Sequence, residues 1–229
     1  MNFKVIARIH TDFKEKFGIP RQSGILEKTF GKIVFEPEYR RTEALRGLEG
    51  FSHIWLLWEF SESLRDTWSP TVRPPRLGGN KRVGVFATRS PYRPNPIGLS
   101  AVKLEEIRHT ENEGDVLIVS GADILDGTPI YDIKPYLKFA DSKPDAICGF
   151  SDEALNYKIN VNIPEDMLKK VEESKRQTLL TLLENDPRPA YKSTDEKEYG
   201  MSFSDYEIFF QVKNGVLTVT KIKDSSDVV

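Results

Sequence analysis

A single cysteine, Cys148, occurs in 229 residues, which rules out an internal disulfide and suits a reducing compartment. Beside Ile147 and Gly149 that thiol reads as a small buried residue rather than a nucleophile. The three histidines, His10, His53 and His109, are far apart, and neither a Cys pair nor His-x-x-x-His occurs, so no metal site is expected. His53, within Phe51-Ser52-His53-Ile54-Trp55, reads as an ordinary strand residue. Gly-x-Gly-x-x-Gly, the P-loop and Gly-x-Ser-x-Gly are all missing, which disfavours doubly wound nucleotide sites and the serine hydrolases. No apolar run approaches a membrane span, and Met1 to Val5 lacks the apolar core of a secretory signal. No membrane association is expected, and the cytoplasm is the expected location. Acidic residues vanish between Thr67 and Leu104, a stretch that holds seven cations: Arg73, Arg76, Lys81, Arg82, Arg89, Arg93 and Lys103. In a chain of net charge −2 this is a local inversion, suited to recruiting a polyanion in a salt-dependent way.

What is present is mostly strand-like. Phe3 to Ile9 alternates, Phe30 to Phe35 is a short strand, and Phe51 to Phe60 is rich in aromatic and branched residues. Val83 to Thr88, Leu99 to Ile107 and Val116 to Ser120 continue the β pattern, and Glu43 to Arg46 fits one helical turn. Helical periodicity is nearly missing before residue 160, so an alternating α/β order is not expected. The expectation is a mainly β protein: a closed or partly open β-barrel over residues 1–148, then a smaller α+β region over 149–229. That second region should hold one long helix, Glu165 to Glu184, with Pro164 at its start. It should also hold a hairpin turning at Asn214-Gly215. The tail from Asp224 should fray.

Three loops could carry chemistry. In Gly84 to Gly98 the prolines Pro91, Pro94 and Pro96 stiffen the chain around Arg93 and Asn95. These two are therefore candidates for contact with a base. Lys81 and Arg82 follow the pliant Gly78-Gly79 pair and are candidates for phosphate. Asp126-Gly127-Thr128-Pro129 is a rigid turn whose carboxylate could accept hydrogen bonds from ribose hydroxyls or an amino group; taken alone, the motif reads rather as an ordinary strand-turn-strand with a solvated Asp. Gly18-Ile19-Pro20-Arg21-Gln22, taken alone, is a loop with an arginine. Trp55, Trp58 and Phe60 offer more large apolar surface than a small barrel interior readily holds, which suggests a homodimer.

Together these segments resemble the TrmO family, also called YaeB or VirR-like proteins. The matching pieces are Lys14 to Gln22, Arg46 to Trp55, Pro70 to Gly98, Asp126 through Tyr136, and Asp186-Pro187-Arg188-Pro189-Ala190-Tyr191. The resemblance runs from about residue 5 to 213 in the family's order. It implies an S-adenosylmethionine-dependent tRNA methyltransferase acting on the N6 nitrogen of threonylcarbamoyladenosine, 3′ of the anticodon. It also implies a β-barrel methyltransferase domain, and a dimer with the cofactor near the subunit interface. Cofactor contacts would then fall on Pro20, Arg21, Gln22, Ser61, Glu62, Arg89, Leu99, Asp126, Gly127, Thr128 and Pro129. Bacterial relatives often carry His-Gln where this chain has Ser61-Glu62. That departure leaves open a non-catalytic RNA-binding adaptor or a methyltransferase on another substrate. Chemically, methyl transfer from a sulfonium is an in-line displacement, and the proton on the attacking nitrogen needs an acceptor, a carboxylate or a water. The sequence alone does not assign that acceptor.

Overall fold

The computed structural model describes residues 3–20, 22–24, 29–74, 81–154, 158–188 and 197–227. In the first half lie β1 (Ala7–Thr11), β2 (Phe30–Phe35), β3 (His53–Glu59), β4 (Thr71–Val72), β5 (Val83–Gly84), β6 (Ile97–Thr110), β7 (Gly114–Ser120), β8 (Thr128–Pro135) and a one-turn helix, α1 (Lys138–Asp141). Six of these strands close into a barrel in the order β1-β2-β7-β6-β3-β8, with every pair antiparallel. The pairing of Ala7 with Ile130 seals it. Alternation explains which residues face in. Along β3, Ile54, Leu56 and Trp58 are buried while the residues between them are not, as a period of two requires. They meet Ile9, Ile33, Val102, Val119 and Ile130 in one core.

The remaining elements are β9 (Asn160–Asn162), α2 (Glu165–Leu168), α3 (Glu173–Glu184), β10 (Tyr199–Phe203), β11 (Tyr206–Lys213) and β12 (Val216–Asp224). The strands form a sheet ordered β10-β11-β12-β9, in which β9 runs parallel to β12. Asn214 and Gly215 both take positive φ, 51° and 75°, the pair of conformations that a tight two-residue hairpin demands. Leu179, Leu182 and Leu183 of α3 pack into this sheet's core.

Three expectations need correction. The long helix is two helices. At Glu172 the backbone is extended (φ −51°, ψ 134°), so the chain turns while Val171 stays buried. Tertiary partners satisfy the groups this exposes: the Glu172 N–H donates to the Tyr206 hydroxyl, and Arg176 donates to the Val171 and Lys169 carbonyls. The strand expected over Val83 to Thr88 lasts only through Gly84 and becomes a 3-10 turn at Val85–Ala87, fastened by Thr88 donating to the Val85 carbonyl. Cys148 is exposed.

The surplus apolar surface is also not where the sequence suggested. Trp58 is a core residue and Phe60 packs against that core, their rings 4.3 Å apart. Trp55 is half-buried and donates its indole N–H to Asp141. The exposed large apolar side chains include Leu64, Trp68, Phe86 and Leu99 instead, with Trp68 and Phe86 stacked at 6.1 Å.

The two cores share a loop. After β1 the chain enters the second core: Phe13 is buried there, and Phe17 and Ile19 pack on it. The Ser204 N–H donates to the Asp12 carbonyl, the Ser202 N–H to Glu15, and Lys175 pairs with Asp12 at 2.8 Å.

Candidate active site

A cavity of about 430 Å³ opens at the end of the barrel where β3 leaves and β6 and β8 begin. That volume lies within the range of small-molecule sites, about 300–1,000 Å³. Its walls come from four places. The loop shared by the two cores supplies Lys16, Ile19 and Pro20, followed by Gln22; the end of β3 and the turn after it supply Trp58 to Ser63. The proline-rich loop and the start of β6 supply Arg89, Pro91, Arg93 and Ile97 to Leu99, and the approach to β8 supplies Asp123, Leu125 and Thr128.

Several hydrogen bonds tie these walls together. Arg89 donates to the Gln22 side chain, and Lys16 to the Glu62 carbonyl. Arg93 folds back to donate to the Thr88 carbonyl, and its own N–H donates to the Pro91 carbonyl. Deepest in chemical interest is a relay. The Trp58 indole N–H donates to Ser100 Oγ at 3.0 Å, and Ser100 Oγ lies 2.6 Å from Asp123 Oδ1. An indole N–H can only donate, so the serine hydrogen is left to point at the carboxylate. Burial pushes the Asp123 carboxyl above its ordinary range, against the lowering effects of Ser100, the backbone N–H groups of Asp123 and Ser23, and Arg89.

Of the other two carboxylates among the described lining residues, Glu62 is exposed at the rim. Glu59 is hydrogen-bonded to Tyr131, whose phenol is pushed up to about 12 by burial and by Glu59. A phenol so shifted stays protonated and occupies Glu59 as its acceptor.

The structure gathers most of the expected cofactor residues on this one cavity: Pro20, Gln22, Ser61, Glu62, Arg89, Leu99 and Thr128. Arg21 lies outside the described residues. Asp126, Gly127 and Pro129 are not on the lining. The Asp126 carboxylate accepts from the Thr11 N–H and pairs with Lys14 and His10. Burial raises its carboxyl, but Lys14, Thr11 and His10 together hold it below its ordinary value. Gly127 sits in left-handed conformation (φ 75°), accepting from Arg8, and Pro129 is buried in the β1–β8 pairing. Arg93 lines the cavity, while Asn95, Lys81 and Arg82 are exposed and off the lining; Arg82 donates to Thr71. Sequence reasoning did not single out Asp123 or Lys16, and it read Trp58 only as surplus apolar surface. The available signal for Asp123 was a carboxylate set between the apolar Ala122 and Ile124.

The residues present fit a zwitterionic, positively charged nucleoside. Trp58, Phe60 and Leu99 offer apolar walls, Lys16, Arg89 and Arg93 suit a carboxylate, and Glu62 suits a cationic group.

Comparison with known proteins agrees with this reading. The model of the tRNA-methyltransferase O N-terminal domain matches residues 8–142, and that of the TrmO C-terminal domain matches residues 156–225. The chain is 42% identical over 218 residues to the Escherichia coli K12 protein named tRNA (adenine(37)-N6)-methyltransferase, covering 92% of each. It is 42% identical to a Pseudomonas aeruginosa protein named as a putative S-adenosylmethionine-dependent methyltransferase, covering 89% of each. A crystal structure of TrmO from P. aeruginosa superposes with a TM-score of 0.78 at 32% identity, over 98% of this chain and 97% of that one. With both domain models matched in order, and a barrel of the same architecture, the chain belongs to the tRNA-methyltransferase O family.

Proposed function

We propose that this chain binds S-adenosylmethionine in the barrel-end cavity and methylates N6 of the adenosine at position 37 of tRNA, in its threonylcarbamoylated form. The observation that carries the reading is convergence: segments separated by up to about a hundred residues bring Pro20, Gln22, Ser61, Glu62, Arg89, Leu99 and Thr128 onto one cavity. When bound, the cofactor supplies an electrophilic methyl group on a sulfonium. The chain's own part is to hold and orient. Arg89, fixed by Gln22, suits the amino-acid carboxylate, and Trp58, Phe60 and Leu99 suit the adenine face. Arg93, held by its backbone and by Thr88, suits the anionic threonyl group, and exposed Asn95 suits contact with the modified base. Exposed Lys81 and Arg82 suit phosphate, which positions a nucleic acid without reading its sequence.

The working unit in this reading is a cytoplasmic homodimer. Leu99, half exposed at 51%, lies on the cavity, and the exposed Trp68–Phe86 stack belongs to the same acid-free segment. Calorimetry should show binding of S-adenosylmethionine, and mass spectrometry of tRNA nucleosides from a deletion strain should show loss of the methylated threonylcarbamoyladenosine. A strain that keeps that nucleoside refutes the substrate, and a protein that binds tRNA but no cofactor is an adaptor. Light scattering should give twice the chain mass, and a monomer at micromolar concentration refutes the dimer.

A further inference from the structure

We infer that Asp123 is the base that takes the proton from the attacking adenine N6, and that Ser100, held by Trp58, positions its carboxylate for this. The inference rests on the methyltransferase reading above. In the step, the N6–methyl bond forms as the methyl–sulfur bond breaks, and the electrons of the broken bond stay on sulfur. The N6 proton goes to Asp123 Oδ2, the oxygen that Ser100 does not engage.

Three observations support Asp123 over its neighbours. It lines the cavity, whereas Asp126, three residues on, is turned away and tied to Thr11, Lys14 and His10. Glu59 is occupied by Tyr131, and Glu62 is exposed. Finally, among the described lining carboxylates Asp123 alone has one oxygen oriented by a buried donor whose hydrogen is fixed from behind, by Trp58 through Ser100. A base must be aimed before its strength matters. Its strength also suits the task, since burial makes this carboxylate a better proton acceptor than a solvated one. The charged groups that share its surroundings are Arg89, Arg93, Lys16, Glu59 and Glu62, with the Ser23 N–H hydrogen-bonded to the carboxylate.

The test uses the full chain, with Asp123→Asn and Ser100→Ala. Asparagine keeps the acceptor that faces Ser100 and removes the basicity. Calorimetry with S-adenosylmethionine should give affinity within about threefold of the parent for both variants. Single-turnover methylation at saturating tRNA and cofactor should fall about 10²–10⁴-fold in Asp123→Asn, the usual worth of a general base, and the acid limb of its pH profile should vanish. Ser100→Ala should keep that limb but move it to higher pH, because the carboxylate loses a hydrogen bond that favours its charged form.

A third readout needs no cofactor. A carboxyl raised by folding contributes stability that is present below its unfolded value and is lost as pH rises through the folded value. Asp123→Asn should therefore raise the urea midpoint relative to the parent at pH 8 more than at pH 4. An unchanged rate, a retained acid limb in Asp123→Asn, an unmoved limb in Ser100→Ala, or a pH-independent stability difference each overturns the assignment. A loss of cofactor affinity as large as the loss of rate does so too, by making Asp123 a cofactor ligand. A parent protein that binds no cofactor instead fails the function reading itself.

Discussion

Gly98→Ala tests whether the Trp58 indole stands where the relay needs it. Gly98 and Trp58 are directly opposed across β6 and β3, and the indole lies over the glycine. A Cβ there would come within 2.2 Å of Trp58 Cε2, 2.4 Å of Cζ2 and 2.5 Å of Cδ2. Those are ring atoms, so no flexible end can yield. The ring itself cannot slide freely, because it is 6% exposed and packed against Phe60. Overpacking of this kind costs about 1–3 kcal/mol. Tilting the ring away also breaks the Trp58–Ser100 hydrogen bond and leaves a buried donor unpaired, at about 1–3 kcal/mol more. The sum, about 2–6 kcal/mol, is a large share of a domain's total of about 5–15 kcal/mol. At a urea slope of about 3 kcal/mol/M the midpoint should fall by about 1–2 M. Gly50→Ala is the control, since nothing lies within 4 Å of its new Cβ, and it should move the midpoint by less than about 0.3 M. Equal midpoints for the two variants would show that the indole does not cover Gly98, and the argued geometry of the relay would fall with it.

Three further outcomes are expected. Gly18 has φ 95°, and its added Cβ would meet the flexible end of Met201 at 2.8 Å; Gly18→Ala should cost about 1–3 kcal/mol through backbone strain and weaken cofactor binding, because the adjacent Ile19 and Pro20 line the cavity. Calorimetry beside a denaturation curve checks both, and unaltered affinity in a destabilised variant refutes the coupling. Asp115 is held below the usual carboxylate range by the Thr42 hydroxyl and His109, so its contribution is present above that range and lost as pH falls through the depressed one; Asp115→Asn should flatten the acid limb of unfolding, and an unchanged acid transition contradicts this. At saturating tRNA, Arg93→Ala should lose single-turnover rate, whereas Lys81→Ala should chiefly lose affinity and reduce the salt slope by about 1; equal rate losses would refute the division between base and phosphate contacts.

The barrel was legible because its strands obey simple rules. The alternation read in Phe3 to Ile9 puts Ala7 and Ile9 inward by the period of two, and the Asn214-Gly215 hairpin follows from two residues that tolerate positive φ. The break between α2 and α3 was hidden because it depends on Tyr206, 34 residues on, accepting from the Glu172 N–H that the break exposes. No local window contains that information. The same limit explains Asp123 and Asp126. The turn around Gly127 could be read from its residue types, but which of two nearby carboxylates faces a cavity depends on how the barrel closes. Asp126 is captured by groups from β1 and the loop after it, more than a hundred residues earlier in the chain. Apolar aromatics were a weaker guide still. Trp58 reads as surplus surface in the sequence and is a core residue with a polar duty in the fold.

The loop from Asp12 to Pro20 shows why the sequence boundary at residue 148 understates the link between the two regions. One side of this loop is built into the second core through Phe13 and Phe17, with Phe17 stacked on Tyr199 at 6.5 Å. Its other side presents Lys16, Ile19 and Pro20 to the cavity. Two ion pairs anchor its start, Asp12 to Lys175 of the second region and Lys14 to Asp126 of the barrel. Close-packed interiors transmit strain rather than absorb it. A wall embedded in that way takes its position from the C-terminal sheet as much as from the barrel. The second region therefore has a structural reason to be part of a cofactor site to which the described cavity lining gives it no direct residue. Loosening the sheet at Met201 or Phe203 should blur the cavity even though both lie outside it.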